Sequence, residues 1–297
     1  MNRNVQIAVL LHVIPWQYNE DNYEIAPNIL LCKTSDSLID KLYKKMCADE
    51  GLDDGSPYDY YSHILFSPAD LNKHFGWKGS PHELLDRLLN VVAIFLSEPI
   101  NHVRIIHSED NFSSYSKTSL EYLYGEQTDF IQLQSCQGLD EGLLNKVKKA
   151  WNIIEDLWGK EKVFGRLNSA LTYFYYAWNS HYIDQVCINL AITLEILFTP
   201  NSNMELSHQL SCNVAKFMSS EIKEREYFYH KIKKFYSVRS QLIHGMLPDD
   251  MKIIDITVDT FHFVSSILSN ILSSKESSEL FNNNKKRIEF FNDILFK

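Results

Sequence analysis

The sequence predicts an α+β chain whose first part mixes strands with helices and whose second part is all helical. Apolar runs typical of strands alternate with amphipathic stretches up to about residue 125. A polar stretch without sustained periodicity follows, up to about Gly142. Beyond Asp140, apolar residues recur at helical spacing almost throughout. We therefore predict an N-terminal α/β or α+β domain over residues 1–125 and an all-α helical bundle over residues 139–297.

The first domain alternates strand and helix signals. Ser80 and Glu83 form a capping-box motif with Pro81 at the first helical position, which predicts a helix from there to about Leu96. Pro99 ends the predicted helix. An earlier helix is predicted from Asp36 to Met46. The predicted strands are 5–14, 29–32 and 102–107.

The second domain shows repeated amphipathic stripes. The pattern predicts six main helices and one short one, at 143–157, 164–178, 183–198, 205–218, 221–244, 253–272 and 282–297. Pro200 ends the third of them. We expect the short last helix to dock on the bundle or on a partner.

Composition excludes several classes of protein. The net charge is −9 over 297 residues, which argues against nonspecific coating of nucleic acid. The five cysteines are an odd number without a C-x-x-C pair, so we expect reduced core thiols and no zinc site. The run from Val5 to Ile14 is too short to span a bilayer. We predict a cytoplasmic protein that has no membrane partner.

Two clusters of cations stand out against the acidic background. Lys231, Lys233 and Lys234 precede Arg239, and this local cluster is compatible with a small cationic groove. Residues 285–287 form a smaller cluster, which we expect to be a solubilising face.

The segment from Phe235 to Gly245 holds the main candidate site. Arg239 suits bidentate phosphate contact, and His244 is able to take or give a proton near neutral pH. The same pattern also fits an ordinary helix stop, with Gly245 in the left-handed conformation. The spacing has little specificity, because Arg225 and His230 repeat it in a charged stretch. We favour Arg239 and His244 because apolar residues precede them and a glycine follows.

Three motifs in order resemble the HEPN superfamily, and more narrowly its Apea-like domains. They are Leu-Glu-x-Leu-Phe at 194–198, Glu-Leu-Ser-His at 205–208 and Arg-Ser-x-x-x-His-Gly at 239–245. The similarity covers roughly residues 164–272 and leaves the first half outside. It implies a helical bundle that dimerises. Many members are metal-independent ribonucleases whose Arg and His meet at the dimer interface, and others only bind.

Carried over by position, the resemblance implies that Arg239 and His244 are catalytic. Ser240 takes the polar position, where the family more often has Asn, Asp or His. The implied activity is RNA cleavage by attack of the 2′-OH, without a cofactor, so DNA is spared. With this activity, Lys231 and Lys234 are the expected RNA-binding residues. The implied setting is prokaryotic antiphage defence or toxin-like growth arrest. A regulatory protein or a phage-derived trigger is a possible partner of the first domain.

Weaker candidates surround this pair. Glu195 either orients Arg239 or another cation, or faces solvent. His208 either lines the groove or is a structural cap or core residue. Asp249, Asp250, Asp255 and Asp259 fit an acidic helix start better than a metal site. The rival functions are a non-catalytic interaction module and, resting only on histidines 12, 63, 74, 82, 102 and 107, a metal-dependent hydrolase in the first domain.

Overall fold

The structure is a computed structural model that divides the chain into two compact units. The first contains residues 1–127 and 133–155, and the second contains residues 128–132 and 156–297. The described residues are 6–12, 16–27, 29–34, 38–49, 60–66, 81–97, 103–108, 118–123, 138–160, 165–180, 182–199, 206–245 and 250–295. Within them, no helix combines the length and apolar character that a membrane crossing requires.

The first unit is built on a six-stranded sheet. Its strands are β1 (Gln6–His12), β2 (Asn22–Ala26), β3 (Ile29–Lys33), β4 (Tyr60–Phe66), β5 (Val103–Ser108) and β6 (Thr118–Leu123). They follow the order β2-β3-β4-β1-β5-β6, and every neighbouring pair is antiparallel. β1 is central, so Val9 lies opposite Ile64 on one side and Ile105 on the other. An antiparallel sheet makes this domain α+β and not α/β.

In the part of this unit that the structure describes, two helices lie between strands and a third follows the sheet. They are α1 (Leu38–Asp49), α2 (Pro81–Leu96) and α3 (Glu141–Lys160). The Asp140 carboxylate caps α3 by accepting a hydrogen bond from the backbone N–H of Leu143 at 2.7 Å. The second half of α2 is buried, with Val92 and Ala93 fully enclosed.

The start of α3 belongs to the first unit. The Tyr23 hydroxyl donates to the Asn145 side chain at 2.7 Å, and the Lys148 ammonium lies 5.5 Å from the centroid of the Tyr23 ring. The backbone N–H of Gln17 also donates to the Leu139 carbonyl at 3.2 Å. The division between the two compact units therefore falls within α3, after residue 155.

All the regular secondary structure described in the second unit is α-helical. Its helices are α4 (Arg166–Trp178), α5 (Ile183–Phe198), α6 (Leu206–Met218), α7 (Ile222–Ile243), α8 (Asp250–Leu272), α9 (Lys275–Asn282) and α10 (Asn284–Leu295). α5 contacts α4, α6, α7 and α8. It is apolar around most of its circumference, as expected of a helix inside a bundle.

Aromatic side chains fill two parts of this core. Phe174 of α4 stacks on Phe261 of α8 with ring centroids 5.2 Å apart. Phe198, at the end of α5, contacts the rings of Phe217, Phe281 and Phe291. The second cluster joins the end of α5 to α6, α9 and α10.

The sequence located most helices but only half of the strands. The predicted strands overlap β1, β3 and β5, whereas β2, β4 and β6 were not predicted. Short strands lie among polar and turn-forming residues, and their pairing depends on partners remote in sequence. In the second unit, α9 was the only described helix that the pattern missed. Its eight residues are too few to show a strong period.

Candidate active site

The candidate segment lies at the end of α7, where the helix stops as predicted. α7 ends at Ile243, and the backbone N–H of His244 donates to the Ser240 carbonyl at 3.2 Å. Gly245 has φ +69°, and its N–H donates to the Leu242 carbonyl at 3.1 Å. The expected left-handed glycine after the helix is confirmed. The imidazole of His244 is exposed.

Arg239 lies one turn earlier and is turned toward α5. Its Nη2 atom lies 3.4 Å from Oε1 of Glu195, and the two side chains are 26% and 23% exposed. The guanidinium carbon lies 5.4 Å from the centroid of the Tyr236 ring. The Tyr236 hydroxyl donates to the same Glu195 oxygen. One carboxylate and one aromatic ring therefore fix the position of the guanidinium.

The two alternatives for Glu195 are now distinguished. Glu195 does not point freely into solvent but pairs with Arg239, which is the orienting alternative. Burial raises the pKa of the Glu195 carboxyl above its usual value, and the Arg239 charge offsets part of that shift. Within the described part of the chain, Nε of Arg239 is buried and has no hydrogen-bond partner. The guanidinium thus keeps donors that Glu195 does not use.

Side chains from three other helices fix the end of α5, which carries Glu195. Nη1 of Arg287 in α10 donates to the carbonyls of Ile196 at 2.6 Å and Leu197 at 2.8 Å. Nδ2 of Asn213 in α6 donates to the Phe198 carbonyl at 2.8 Å. Arg166 of α4 also approaches the Ile196 carbonyl, at 3.5 Å. These donors satisfy carbonyls that a helix end leaves without intrahelical partners.

Arg287 was expected on a solubilising face, and that prediction was wrong. Its side chain is fully buried. Burial, with a smaller contribution from the Arg166 charge, lowers the pKa of Arg287 to about 10. Arg287 lies four residues before Phe291, so it shares the buried face of α10. The neighbouring Lys285 and Lys286 are exposed, as predicted.

Arg239 and His244 of one chain do not form a single site. Five helical residues correspond to a rotation of about 500°, so their side chains leave α7 about 140° apart. In keeping with this, Arg239 faces α5 whereas His244 is exposed. Among the described residues, no hydrogen bond or ion pair joins them. Ser240 is exposed, and its side chain contacts neither of them.

His208 lies on the surface between α6 and α7. Its Nδ1 atom shares a hydrogen bond of 2.9 Å with the Tyr229 hydroxyl, and its Nε2 atom lies 3.7 Å from the Cys212 sulfur. It is exposed, so it is not a core histidine. Because it lies within α6, it is not an N-terminal cap either.

The predicted RNA-binding lysines differ in their surroundings. Lys231 is paired with Asp259 of α8 at 2.6 Å, and its ammonium lies 5.1 Å from the centroid of the Phe263 ring. Lys234 is exposed, with no recorded partner in the described structure. The pairing explains Asp259, and Asp250 begins α8 as expected of an acidic helix start. Among described residues, no group of three or more His, Cys, Asp or Glu side chains could hold a metal ion.

Sequence reasoning missed three residues that support the candidate site. Tyr236 precedes Arg239 by three residues, and that helical spacing is the signal that would have identified it. Asn213 and Arg287 act on backbone carbonyls remote in sequence. For Arg287, its place four residues before Phe291 on an amphipathic stretch was a local signal of burial.

Comparison of the chain with protein-family models, curated proteins and solved structures finds no match. The resemblance to the HEPN superfamily therefore rests on the three sequence motifs alone.

Proposed function

We propose that this chain is a metal-independent endoribonuclease of HEPN type that acts as a homodimer. The observation that carries the proposal is the state of Arg239. Its guanidinium is held by Glu195 and Tyr236, while the side chain as a whole remains about one-quarter exposed. A positioned planar cation of this kind suits a phosphate whose negative charge grows during reaction.

The proposed reaction is an internal transesterification. The ribose 2′-OH attacks the adjacent phosphorus, and the bond from phosphorus to the 5′-oxygen breaks, which leaves a 2′,3′-cyclic phosphate and a free 5′-OH. His244 acts as the general base on the 2′-OH or as the general acid on the leaving oxygen. Arg239 stabilises the charge on the non-bridging oxygens.

The divergence of Arg239 and His244 on one helix supports a composite site. A two-fold axis beside the end of α7 would bring His244 of one protomer toward Arg239 of its partner. Such a site is incomplete in one chain. Ile243, which is 49% exposed beside His244, provides apolar surface for that contact.

The biological role that fits this activity is antiphage defence or toxin-like growth arrest in the cytoplasm. The first unit then senses a trigger or restrains the nuclease. Interfaces between domains of one chain are often small enough to be switched. Separate expression of the helical part tests whether the first unit restrains the nuclease. If the helical fragment is no more toxic or active than the whole chain, the first unit does not restrain it.

The test of the catalytic proposal is cleavage of single-stranded RNA in EDTA. We expect His244→Ala and Arg239→Lys each to lower the rate at least about a hundredfold, as expected from the loss of an acid, base or charge stabiliser. His230→Ala is the matched control because His230 is an exposed histidine of the same helix. Wild-type protein that never cleaves RNA without metal, or a His244 variant as fast as wild type, would sink the proposal.

A non-catalytic interaction module is the second candidate. The same contacts favour it, since Glu195 and Tyr236 give Arg239 a structural role that needs no substrate. Ser240 at the position that is more often Asn, Asp or His points the same way. An intact homodimer that cleaves no RNA under any condition would identify this function.

A further inference from the structure

Two stretches of α6 and α7 beside the candidate site contain cations and no carboxylates, and a charged stretch with Glu221, Glu224 and Glu226 separates them. Residues 206–220 and 227–245 contain no Asp or Glu. They hold the five cations Lys216, Lys231, Lys233, Lys234 and Arg239. The whole chain has a net charge of −9, so this part of the surface is basic against an acidic background.

Two of these cations, Lys216 and Lys233, form one surface with His208 and Tyr229, which we call the basic face. His208 and Lys216 are eight residues apart and lie on the same side of α6. The Tyr229 hydroxyl bonds His208, and the Lys233 ammonium lies 5.8 Å from the centroid of the Tyr229 ring. The face therefore spans α6 and α7.

The cations of the basic face lack counter-ions. Burial lowers the pKa of Lys216, the nearby Cys212 side chain offsets part of that shift, and the positive charge of Arg225 adds a smaller lowering. In the described part of the chain, neither Lys216 nor Lys233 forms an ion pair, whereas Lys231 and Lys275 each have a carboxylate partner. Uncompensated cations on a shared surface raise the local concentration of polyanions.

The basic face continues along α7 to His244. Lys233 and His244 are eleven residues apart, a rotation of about three turns and 20°, so they share one side of the helix over roughly 16 Å. Ser237 and Ser240 lie between them on this side, and both are exposed. We call this row from Lys233 to His244 the track. Because it ends at His244, a nucleic-acid strand bound along it reaches the proposed reacting group.

We propose that the basic face binds the phosphate backbone of a single-stranded RNA and leads it to His244. The choice of RNA among polyanions rests on the proposed ribonuclease function, while the unpaired cations come from the structure alone. A lipid surface fits less well, since the serines of the track offer no apolar group to enter a bilayer.

The test measures binding of a fluorescein-labelled 20-nucleotide oligouridine to the full chain in EDTA, in a His244→Ala background. We compare Lys216→Gln/Lys233→Gln with Lys252→Gln/Lys286→Gln, which makes the same change in charge at exposed lysines of the same unit. Arg225 is left in place because its Nε donates to the Ser219 carbonyl at 2.8 Å. Vesicles of phosphatidylserine and phosphatidylcholine serve as the alternative anionic partner.

We expect the basic-face double variant to raise the Kd for RNA at least about tenfold near 100 mM salt, with the salt slope reduced by about 1.4 for two lost phosphate contacts. The Kd of the control pair should stay within about twofold of wild type.

Three outcomes would each overturn the inference. They are equal losses of affinity in both pairs, no RNA binding at tens of micromolar, and vesicle binding that depends on the basic face while RNA binding does not. RNA binding that depends on the face without any cleavage by wild type keeps this inference and removes the ribonuclease. If wild type cleaves RNA but the basic-face variant binds RNA as well as the control does, the ribonuclease proposal is kept and the inference about the basic face is removed.

Discussion

The second unit contains two helix ends that are satisfied in opposite ways. At the end of α5, the carbonyls of Ile196, Leu197 and Phe198 accept hydrogen bonds from the side chains of Arg287 and Asn213. At the end of α7, His244 is exposed and forms no side-chain hydrogen bond or ion pair with the described residues, and a left-handed glycine ends the helix through backbone bonds. The first end therefore depends on polar side chains from other helices. The second end is held by backbone hydrogen bonds.

The largest expected effect separates these two ends by stability. Arg287→Ala leaves the buried Leu197 carbonyl without its donor, leaves the Ile196 carbonyl only the longer Arg166 contact, and opens a cavity, so we expect a loss of about 3 kcal/mol or more in the free energy of unfolding. His244→Ala, at an exposed position, should change it by less than about 0.5 kcal/mol at pH 8. Urea unfolding followed by circular dichroism measures both. Similar losses in the two variants would refute the comparison.

Gly245 tests how the end of α7 is held. Gly245→Ala forces a side chain into the left-handed region, at a cost of roughly 1 kcal/mol, although no atom lies within 4 Å of the added Cβ. Gly142→Ala, within α3 and without a positive φ, should be neutral or slightly stabilising, since alanine is the better helix former. The midpoint of thermal unfolding should fall for Gly245→Ala and stay unchanged or rise slightly for Gly142→Ala. A neutral Gly245→Ala would mean that the turn relaxes freely.

Glu195 links the fixed end of α5 to Arg239, and its titration gives a pH signature. Burial raises its pKa in the folded chain, so its contribution to stability is present below the unfolded pKa of about 4.3 and is lost as pH rises through the folded pKa. Glu195→Gln does not titrate. We therefore expect wild type to lose stability relative to this variant between about pH 4 and neutrality.

Chemical unfolding of wild type and Glu195→Gln across that range measures the difference. Glu276→Gln is the control, because Glu276 is exposed on α9 of the same unit. A stability difference that is independent of pH, or one that favours wild type as pH rises, contradicts the burial argument.

The smallest effect compares two neighbouring lysines of α7. Lys231→Ala removes the ion pair with Asp259 and the contact with the Phe263 ring, so we expect a loss of about 0.5 to 1 kcal/mol. Lys234→Ala, at an exposed site, should stay within a few tenths of a kcal/mol. Thermal unfolding distinguishes them. Equal effects would show that the Lys231 pair contributes nothing to stability.

Local sequence signals predicted what depends on neighbours along the chain. The period of apolar residues located α5 and α7, and the glycine after His244 located the helix end. The same signals left the antiparallel order of the six strands undetermined, because strand pairing joins residues far apart in sequence. They also placed Arg287 among solvated cations, although the two backbone carbonyls that it binds lie 90 and 91 residues away.

The same separation bears on the order of events during synthesis. The turn that carries Glu195 is synthesised long before Arg287, which is added 91 residues after Ile196. At roughly 5 to 20 residues per second, synthesis of that stretch takes about 5 to 18 seconds. Until it is complete, the carbonyls beside Glu195 lack this donor. A nascent chain interrupted before α10 therefore contains Glu195 and Arg239 but not the side chain that fixes the end of α5.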